Sequence, residues 1–271
     1  MTNKTDKTRT VMGPAPRSSI SRAGRRVIKR LMYSQLSLLD APRILLGRSE
    51  PTIRFRIEAE PASVYWNFTV RDDRLEDFIE YIALPAQFEV SPVRCLAGEE
   101  PRHTLTLNVY AVSGLVSGMR AEWSTYVIDQ FGKPRYMVLE ALSSSMSLDP
   151  DNLITRESTV EHRSGRTVAT LVDNHEGGRF TSHYQPTAAP EQGVLDREWL
   201  EANDYIYWRG GICDRAFYDA SLANPSVILV APATVELANS TAWAPFLEPV
   251  PRQVIQFAHA LELIILPWEN I

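Results

Sequence analysis

The stretch Val116–Val127, VSGMRAEWSTYV, decides how this chain is read. It sets Arg120 and Glu122 two residues apart inside a run of strand-forming residues. Strand side chains alternate, so Arg120, Glu122, Ser124 and Tyr126 share one face and Ala121, Trp123, Thr125 and Val127 the other. Two readings of the polar face stand at this point. Either it is a solvent face whose ion pair contributes little, or it lines the inside of a curved sheet and carries chemistry. On the second reading Trp123 turns the other way, into a layer of helices or a neighbouring subunit, because alternation forbids both residues one side.

Working outward from this stretch, the chain from Thr52 onward reads as strands punctuated by turns. The runs TIRFRIEAE, VYWNFTV, HTLTLNVYAVSG, PRYMVLEALSSS, RTVATLVDN, GGRFTSHYQP and SVILVAPATVEL are apolar or alternating over strand length, and DQFGKP, RSGR and HEGGR read as hairpin turns. Helical spacing is confined to RDDRLEDFIEYI, where Leu75, Phe78, Ile79 and Ile82 form a face, to VLDREWLEAN, and to PRQVIQFAHALELI near the end. The expected fold is α+β, a large antiparallel β-sheet closed into a cone or barrel-like double sheet with a few peripheral helices. Residues 51–271 are expected to form one domain, since no repeat and no interior linker divides them.

Composition bounds the function classes. With 271 residues and 44% hydrophobic content the chain can bury a sizeable core. No apolar run is long enough to span a bilayer as a helix, and the start lacks the apolar segment of a secretion signal, so the expected location is cytoplasmic. Cys95 and Cys213 are single and far apart, which supports neither a disulfide framework nor a zinc site.

The net charge of −5 is unevenly spread: Met1–Glu60 carries 13 Lys and Arg against 5 Asp and Glu, about +8, which leaves about −13 on the rest. Residues 1–20 read as a disordered leader. Residues 21–50 read as a basic amphipathic helix, with Val27, Ile28, Leu31, Met32, Leu38 and Leu39 at helical spacing. It either packs on the domain or makes peripheral membrane contact through residues 21–39. Nucleic acid is not an expected partner, because the acidic remainder would repel phosphate.

Three segments resemble the acetoacetate decarboxylase superfamily. VYWNFTVRDDRLEDFIEYIALPAQFEV is similar to its opening, an aromatic strand followed by an Asp-initiated helix, a Leu-Pro and a second strand. LTLNVYAVSGLVSGMRAEWSTYVIDQFGKPRYMVLEAL resembles its central strand pair, and WAPFLEPVPRQVIQFAHALELIILP its closing segment. The resemblance spans about Val64–Pro267 and implies a β-rich cone or barrel with an internal cavity and a tendency to form homo-oligomers.

The departures from that family bear on mechanism. Its Schiff-base lysine belongs in or just after LEALSSSMSLDPDNL, where this chain has none; the lysines are Lys4, Lys7, Lys29 and Lys133. The position of the family's cavity arginine holds Ser63. Without an imine the usual electron sink for β-keto acid decarboxylation is missing. A cavity carboxylate can still move protons at a carbonyl compound, so Glu122 is the first catalytic candidate and Glu140 the second, with Arg120 orienting Glu122 or holding a substrate oxyanion. Trp66, Tyr126, and the Tyr207 and Arg209 face of YIYWRGGICDR are candidate substrate-binding residues.

Other residues read more simply. His162, His175 and His183 lack the spacing of a metal set, and neither a metal nor another cofactor is expected. NHEGGR is a hairpin turn without a following helix, so it is no phosphate cradle, and SSSMS lacks a nucleophile elbow. Two functions are left: an enzyme acting by general acid/base catalysis (lyase, dehydratase or cyclase type) on a β-keto or polyketide-like small molecule, or a non-catalytic binder of an apolar small molecule.

Overall fold

Among the described residues, seventeen strands and two α-helices follow the turn signals of the sequence. The computed structural model describes residues 53–113, 117–144, 155–174, 177–186, 191–203, 205–208, 216–222 and 226–268. The leader and the basic segment 21–50 lie outside these residues. The first strands are β1 (Ile53–Ile57), β2 (Val64–Thr69), β3 (Phe88–Val90), β4 (Thr104–Ser113), β5 (Gly118–Asp129) and β6 (Pro134–Ser143). Then come β7 (Thr155–Glu157), β8 (Thr159–Arg163), β9 (Val168–Asn174), β10 (Gly178–Tyr184) and β11 (Glu191–Gly193). The last are β12 (Tyr205–Trp208), β13 (Ala216–Leu222), β14 (Val227–Val230), β15 (Glu236–Asn239), β16 (Gln253–Phe257) and β17 (Leu261–Trp268). The helices are α1 (Leu75–Ile82) and α2 (Arg197–Asn203).

The strands form two sheets. In the larger one, of 13 strands, the order is β11-β14-β16-β2-β4-β1-β17-β13-β12-β6-β5-β3, with β7 alongside β6. The smaller is β15-β10-β9-β8. The expected double sheet is present, and all pairs but β6 with β7 and with β12 are antiparallel where their register is defined. The expected closure into a barrel is corrected: the order ends on two edge strands, β11 and β3, and the additional β4–β5 pairing curls the sheet back on itself without making it a barrel.

A second correction falls at the C-terminal end, where PRQVIQFAHALELI was expected to be helical. Its residues form β16 and the start of β17, separated by a bend. The 3.6-residue spacing there is a coincidence of two apolar strands, since Val254 faces one side of the sheet while Ile255 and Phe257 face the other. SVILVAPATVEL is likewise two elements, because Pro232 starts a 3-10 turn that sends β14 to the large sheet and β15 to the small one.

Local chemistry explains the parts that were read correctly. In α1, Phe78 and Ile82 are buried while Ile79 is 41% exposed, so the apolar face is narrower than the sequence spacing gives. The β5–β6 hairpin is built around Asp129, whose Oδ1 accepts from the Phe131 and Lys133 amides at 2.9 Å each and whose Oδ2 accepts from Arg135 Nε and Nη2 at 3.0 and 2.8 Å. Gly132 sits at φ 75°, where only glycine is comfortable. Gly178, at φ 90°, lies so close to the Ser240 carbonyl that a Cβ would collide with it, and this contact joins β10 to the segment after β15.

The large sheet has apolar residues on both faces. One face packs on the small sheet: Trp66, Phe68, Leu105, Leu107 and Trp123 meet Val160, Val172 and Phe180. The other face packs under α2, where Tyr65, Tyr110, Tyr126 and Tyr136 meet Trp199 and Ala202. Trp123 therefore turns away from Glu122 as expected, but into a sheet rather than a layer of helices; its neighbours include Phe180 and Trp243 at ring distances of 6.2 and 6.4 Å.

Candidate functional site

Arg120, Glu122, Ser124 and Tyr126 of VSGMRAEWSTYV lie on the α2 face and are buried. Arg120 and Glu122 are each 4% exposed, which removes the solvent-face reading. Arg120 Nε lies 2.6 Å from Glu122 Oε1, and the Tyr110 hydroxyl donates to the same oxygen at 2.9 Å. Two donors on one carboxylate oxygen fix the plane of the group and direct its second oxygen.

Register extends this pair into a polar stripe. Glu122 is opposite Asn108, Asn108 is opposite Tyr65, and Arg120 is opposite Tyr110, so three strands contribute to one patch. Along β5 the stripe continues through Ser124 to Tyr126, which stands opposite Tyr136 with ring centroids 5.5 Å apart. Beside it, Thr106 Oγ1 donates to Asn67 Oδ1 at 2.7 Å and Asn67 Nδ2 donates to Gln253 Oε1 at 3.1 Å. Ser63 Oγ donates to Asn108 Oδ1 at 3.2 Å. Aromatic rings border the stripe, with Tyr65 edge-on to Trp199 at 5.7 Å and to Phe257 at 5.4 Å.

Burial dominates the electrostatics. It pushes the phenol pKa values of Tyr65 and Tyr110 far up, and the charge of Glu122 pushes them further. Tyr126 and Tyr136 are also raised, first by burial. All four phenols therefore stay protonated and act as donors. The oxygens of Ser124, Tyr126 and Tyr136 are fully enclosed without a closed hydrogen bond, although Tyr126 lies close to Thr106 and Asn203 and Tyr136 close to Ser124.

Not every residue singled out in the sequence comes here. Glu140 is opposite Trp123 on the small-sheet face, where its oxygens accept from Asn174 Nδ2 at 2.7 Å and Trp243 Nε1 at 2.9 Å. It joins the two layers and shares no site with Glu122. Trp66 also faces the small sheet, next to Phe180 and His162, and its neighbour Tyr65 is the strand's contribution to the α2 face. Tyr207 lies on β12, paired with Met137 and Phe217, and Arg209 lies outside the described residues. His162 is structural: its ring nitrogens meet Thr170 Oγ1 at 2.8 Å and the Ala62 carbonyl at 2.7 Å. His183 faces Glu236 at 3.2 Å. An open groove bordered by Glu161, Thr181 and His183 lies on the far side of the small sheet from Glu122. Among the described residues, no three His, Cys, Asp or Glu side chains group closely enough to hold a metal.

By sequence, no family model and no curated protein matches this chain. By structure, an acetoacetate decarboxylase from Legionella pneumophila superposes with a TM-score of 0.55 over 81% of this chain and 87% of that one, at 10% identity. The chain has the acetoacetate decarboxylase fold. An acetoacetate decarboxylase-like enzyme from Sphingomonas wittichii RW1 covers 82% of this chain and 95% of its own at a TM-score of 0.52 and 8% identity. A further acetoacetate decarboxylase structure covers 88% and 95% at 0.50 and 13%.

Within this acetoacetate decarboxylase-like fold, the lysines of the chain are placed as follows. Lys133 lies in the exposed β5–β6 turn, where its amide serves Asp129, and Lys4, Lys7 and Lys29 fall outside the described residues. Sequence reasoning missed Tyr65, Asn108 and Tyr110. Their signal was available in alternation along VYWNFTV and HTLTLNVYAVSG, but only strand pairing shows that they stand beside Glu122. No helix among the described residues is long and apolar enough to cross a membrane.

Proposed function

We propose that this chain is an enzyme that uses the acetoacetate decarboxylase fold without an imine, with Glu122 as general acid/base on a carbonyl-containing metabolite of the β-keto or polyketide-like class. The observation that carries the reading is the buried Arg120–Glu122–Tyr110 cluster on the α2 face. Burying two charges costs several kcal/mol each before their attraction is counted, and an apolar trio of similar volume would serve stability at least as well. A site for proton transfer gives the cluster a use. Glu122 exchanges the proton, while Arg120 and Tyr110 hold its carboxylate in one orientation through Oε1. Lyase, dehydratase and cyclase steps all need such a group next to a carbon flanked by a carbonyl.

The test is Glu122→Gln, which keeps the shape and the two donors' acceptor while removing the exchangeable proton. Wild type and variant are incubated with a panel of β-keto acids and neutral ketones in D2O, and substrate loss and deuterium entry are followed by NMR. A loss of about a hundredfold to ten-thousandfold in rate in a folded variant is expected. Equal rates in the two proteins would overturn the reading.

A further inference from the structure

The row Tyr65, Asn108, Glu122 crosses three neighbouring strands on the α2 face, with Asn108 in register with both of the others. Opposed residues of adjacent antiparallel strands have Cβ atoms about 5 Å apart, so the Asn108 amide is one strand from the carboxylate and the Tyr65 phenol two. Each bond in the row uses a defined end. Glu122 accepts only through Oε1, and Asn108 accepts from Ser63 through Oδ1.

Among the described residues this leaves Glu122 Oε2, Asn108 Nδ2 and Tyr65 Oη without a hydrogen bond, on residues that are 4%, 3% and 6% exposed. None of these three atoms is sealed as the oxygens of Tyr126, Tyr136 and Ser124 are. A buried polar group left unpaired costs about 1–3 kcal/mol, so three in one row are expensive unless a bound molecule satisfies them. Their types are complementary: the carboxylate oxygen can take a proton, and the amide NH2 and the phenol O–H beside it can donate hydrogen bonds.

We propose that Asn108 is the oxyanion donor of this site, assisted by Tyr65, and that the substrate class is an enolisable ketone or neutral 1,3-dicarbonyl compound. This assignment rests on Glu122 as the acid/base group. The carbonyl oxygen sits over β4, where Asn108 Nδ2 and Tyr65 Oη donate to it, and the α-carbon faces Glu122. In the step itself the α-C–H bond breaks, its electron pair forms the C=C bond, and the carbonyl π pair moves to oxygen. The proton goes to Glu122 Oε2, and the resulting enolate oxygen takes the two hydrogen bonds. Return of the proton from the same carboxyl to carbon completes an isomerisation, and capture of the enolate carbon by an electrophile on the substrate a cyclisation. Where the β-carbon carries a hydroxyl, the enolate re-forms its carbonyl as the β-C–O bond breaks and the carboxyl's proton leaves with that oxygen as water, an elimination. None of these needs an oxidant. The rings of Tyr65, Trp199 and Phe257 place the apolar body of such a compound toward β2 and α2.

Benzylacetone, a neutral ketone with an apolar body, is the probe, and deuterium entry at its α-positions in D2O is followed by NMR with the full chain. Wild type accelerates exchange above the buffer rate. Asn108→Asp, which keeps the acceptor for Ser63 but exchanges the donor for an acceptor, and Asn108→Leu each lower the turnover number by about a hundredfold to a thousandfold with KM little changed. Tyr65→Phe removes an oxygen that makes no hydrogen bond among the described residues, so it lowers exchange without lowering the thermal midpoint, and it decides the matter if the Asn108 variants do not fold. Exchange that is lost in Glu122→Gln but kept in folded Asn108→Leu and in Tyr65→Phe overturns the oxyanion-donor assignment and leaves the acid/base reading standing. Wild-type exchange at the buffer rate, or undiminished exchange in Glu122→Gln, overturns both.

Discussion

Glu140 and Val138, two residues apart on one strand, point to opposite faces of the sheet. Glu140 pairs with Trp123 and Val138 with Ser124, so Leu139 is an extra residue in β6 and the register shifts there. A bulge of this kind exchanges the faces of everything beyond it. Ser143 and Ala141 lie on the α2 face, and past the bulge Val138 and Tyr136 are brought to that same face. Strict alternation would have put Arg135, Met137 and Leu139 there.

Deleting Leu139 is therefore expected to be tolerated about as well as truncating it. Leu139→Ala removes a half-buried side chain and costs about 1–3 kcal/mol. The deletion leaves Val138 and Glu140 adjacent on opposite faces, still opposite Ser124 and Trp123, so every other pair of the hairpin, Arg135 with Asp129 included, keeps its side. Both the deleted protein and Leu139→Ala should unfold cooperatively in urea at a lower midpoint than wild type, and loss of the cooperative transition on deletion would show that the bulge itself, not only the facing of the residues around it, holds the hairpin.

The buried cluster makes a second prediction that separates stability from use. Arg120→Met leaves the Glu122 carboxylate enclosed without its cation and should cost about 3–5 kcal/mol in urea unfolding. Adding Glu122→Leu and Tyr110→Phe removes the uncompensated groups, and at least half of that loss should return. Proton exchange at ketone substrates stays absent in the repacked protein. If the triple variant is as unstable as Arg120→Met alone, the cluster is a structural support rather than a functional one.

His162 gives the acid limb of the stability profile. Burial lowers its pKa from the ordinary 6.5, with the Ala62 carbonyl opposing that shift. A lowered native pKa means that the unfolded chain binds the proton first, so His162 contributes its stability fully above about pH 6.5 and loses it as pH falls through the native value. Wild type should lose thermal midpoint on acidification below about 6.5 more steeply than His162→Gln, whose own midpoint at pH 8 should be lower by the equivalent of about 1–3 kcal/mol. Parallel profiles for the two proteins would show that other groups set the acid limb.

The lysine positions predict the outcome of imine trapping. Lys133 sits in an exposed turn on the rim of β5 and β6. Incubation with acetoacetate followed by borohydride should leave the intact mass unchanged. A stable reduced adduct on any lysine would mean that Schiff-base chemistry operates and that Glu122 is not its replacement.

What the chain declares by itself is whatever depends on neighbours in sequence. Alternation in MRAEWSTYV put Arg120 and Glu122 opposite Trp123, the Asp129–Gly132–Lys133 chemistry marked a hairpin, and the Asp-rich start of α1 marked a helix. The resemblance in three segments led to the right fold although only 8–13% of residues agree with the compared structures. Tertiary structure alone decided which strand lies beside which. The pairing of β2 with β4 and of β4 with β5 assembled Tyr65, Asn108 and Glu122 from positions 43 and 14 residues apart, a relation that hydrogen bonds between strands enforce and no local pattern encodes. The bulge at Leu139 is of the same kind. Its local sequence is an ordinary strand, and only the partner β5, one residue shorter across that span, shows that Glu140 belongs to the layer between the sheets and Tyr136 to the face that carries Glu122.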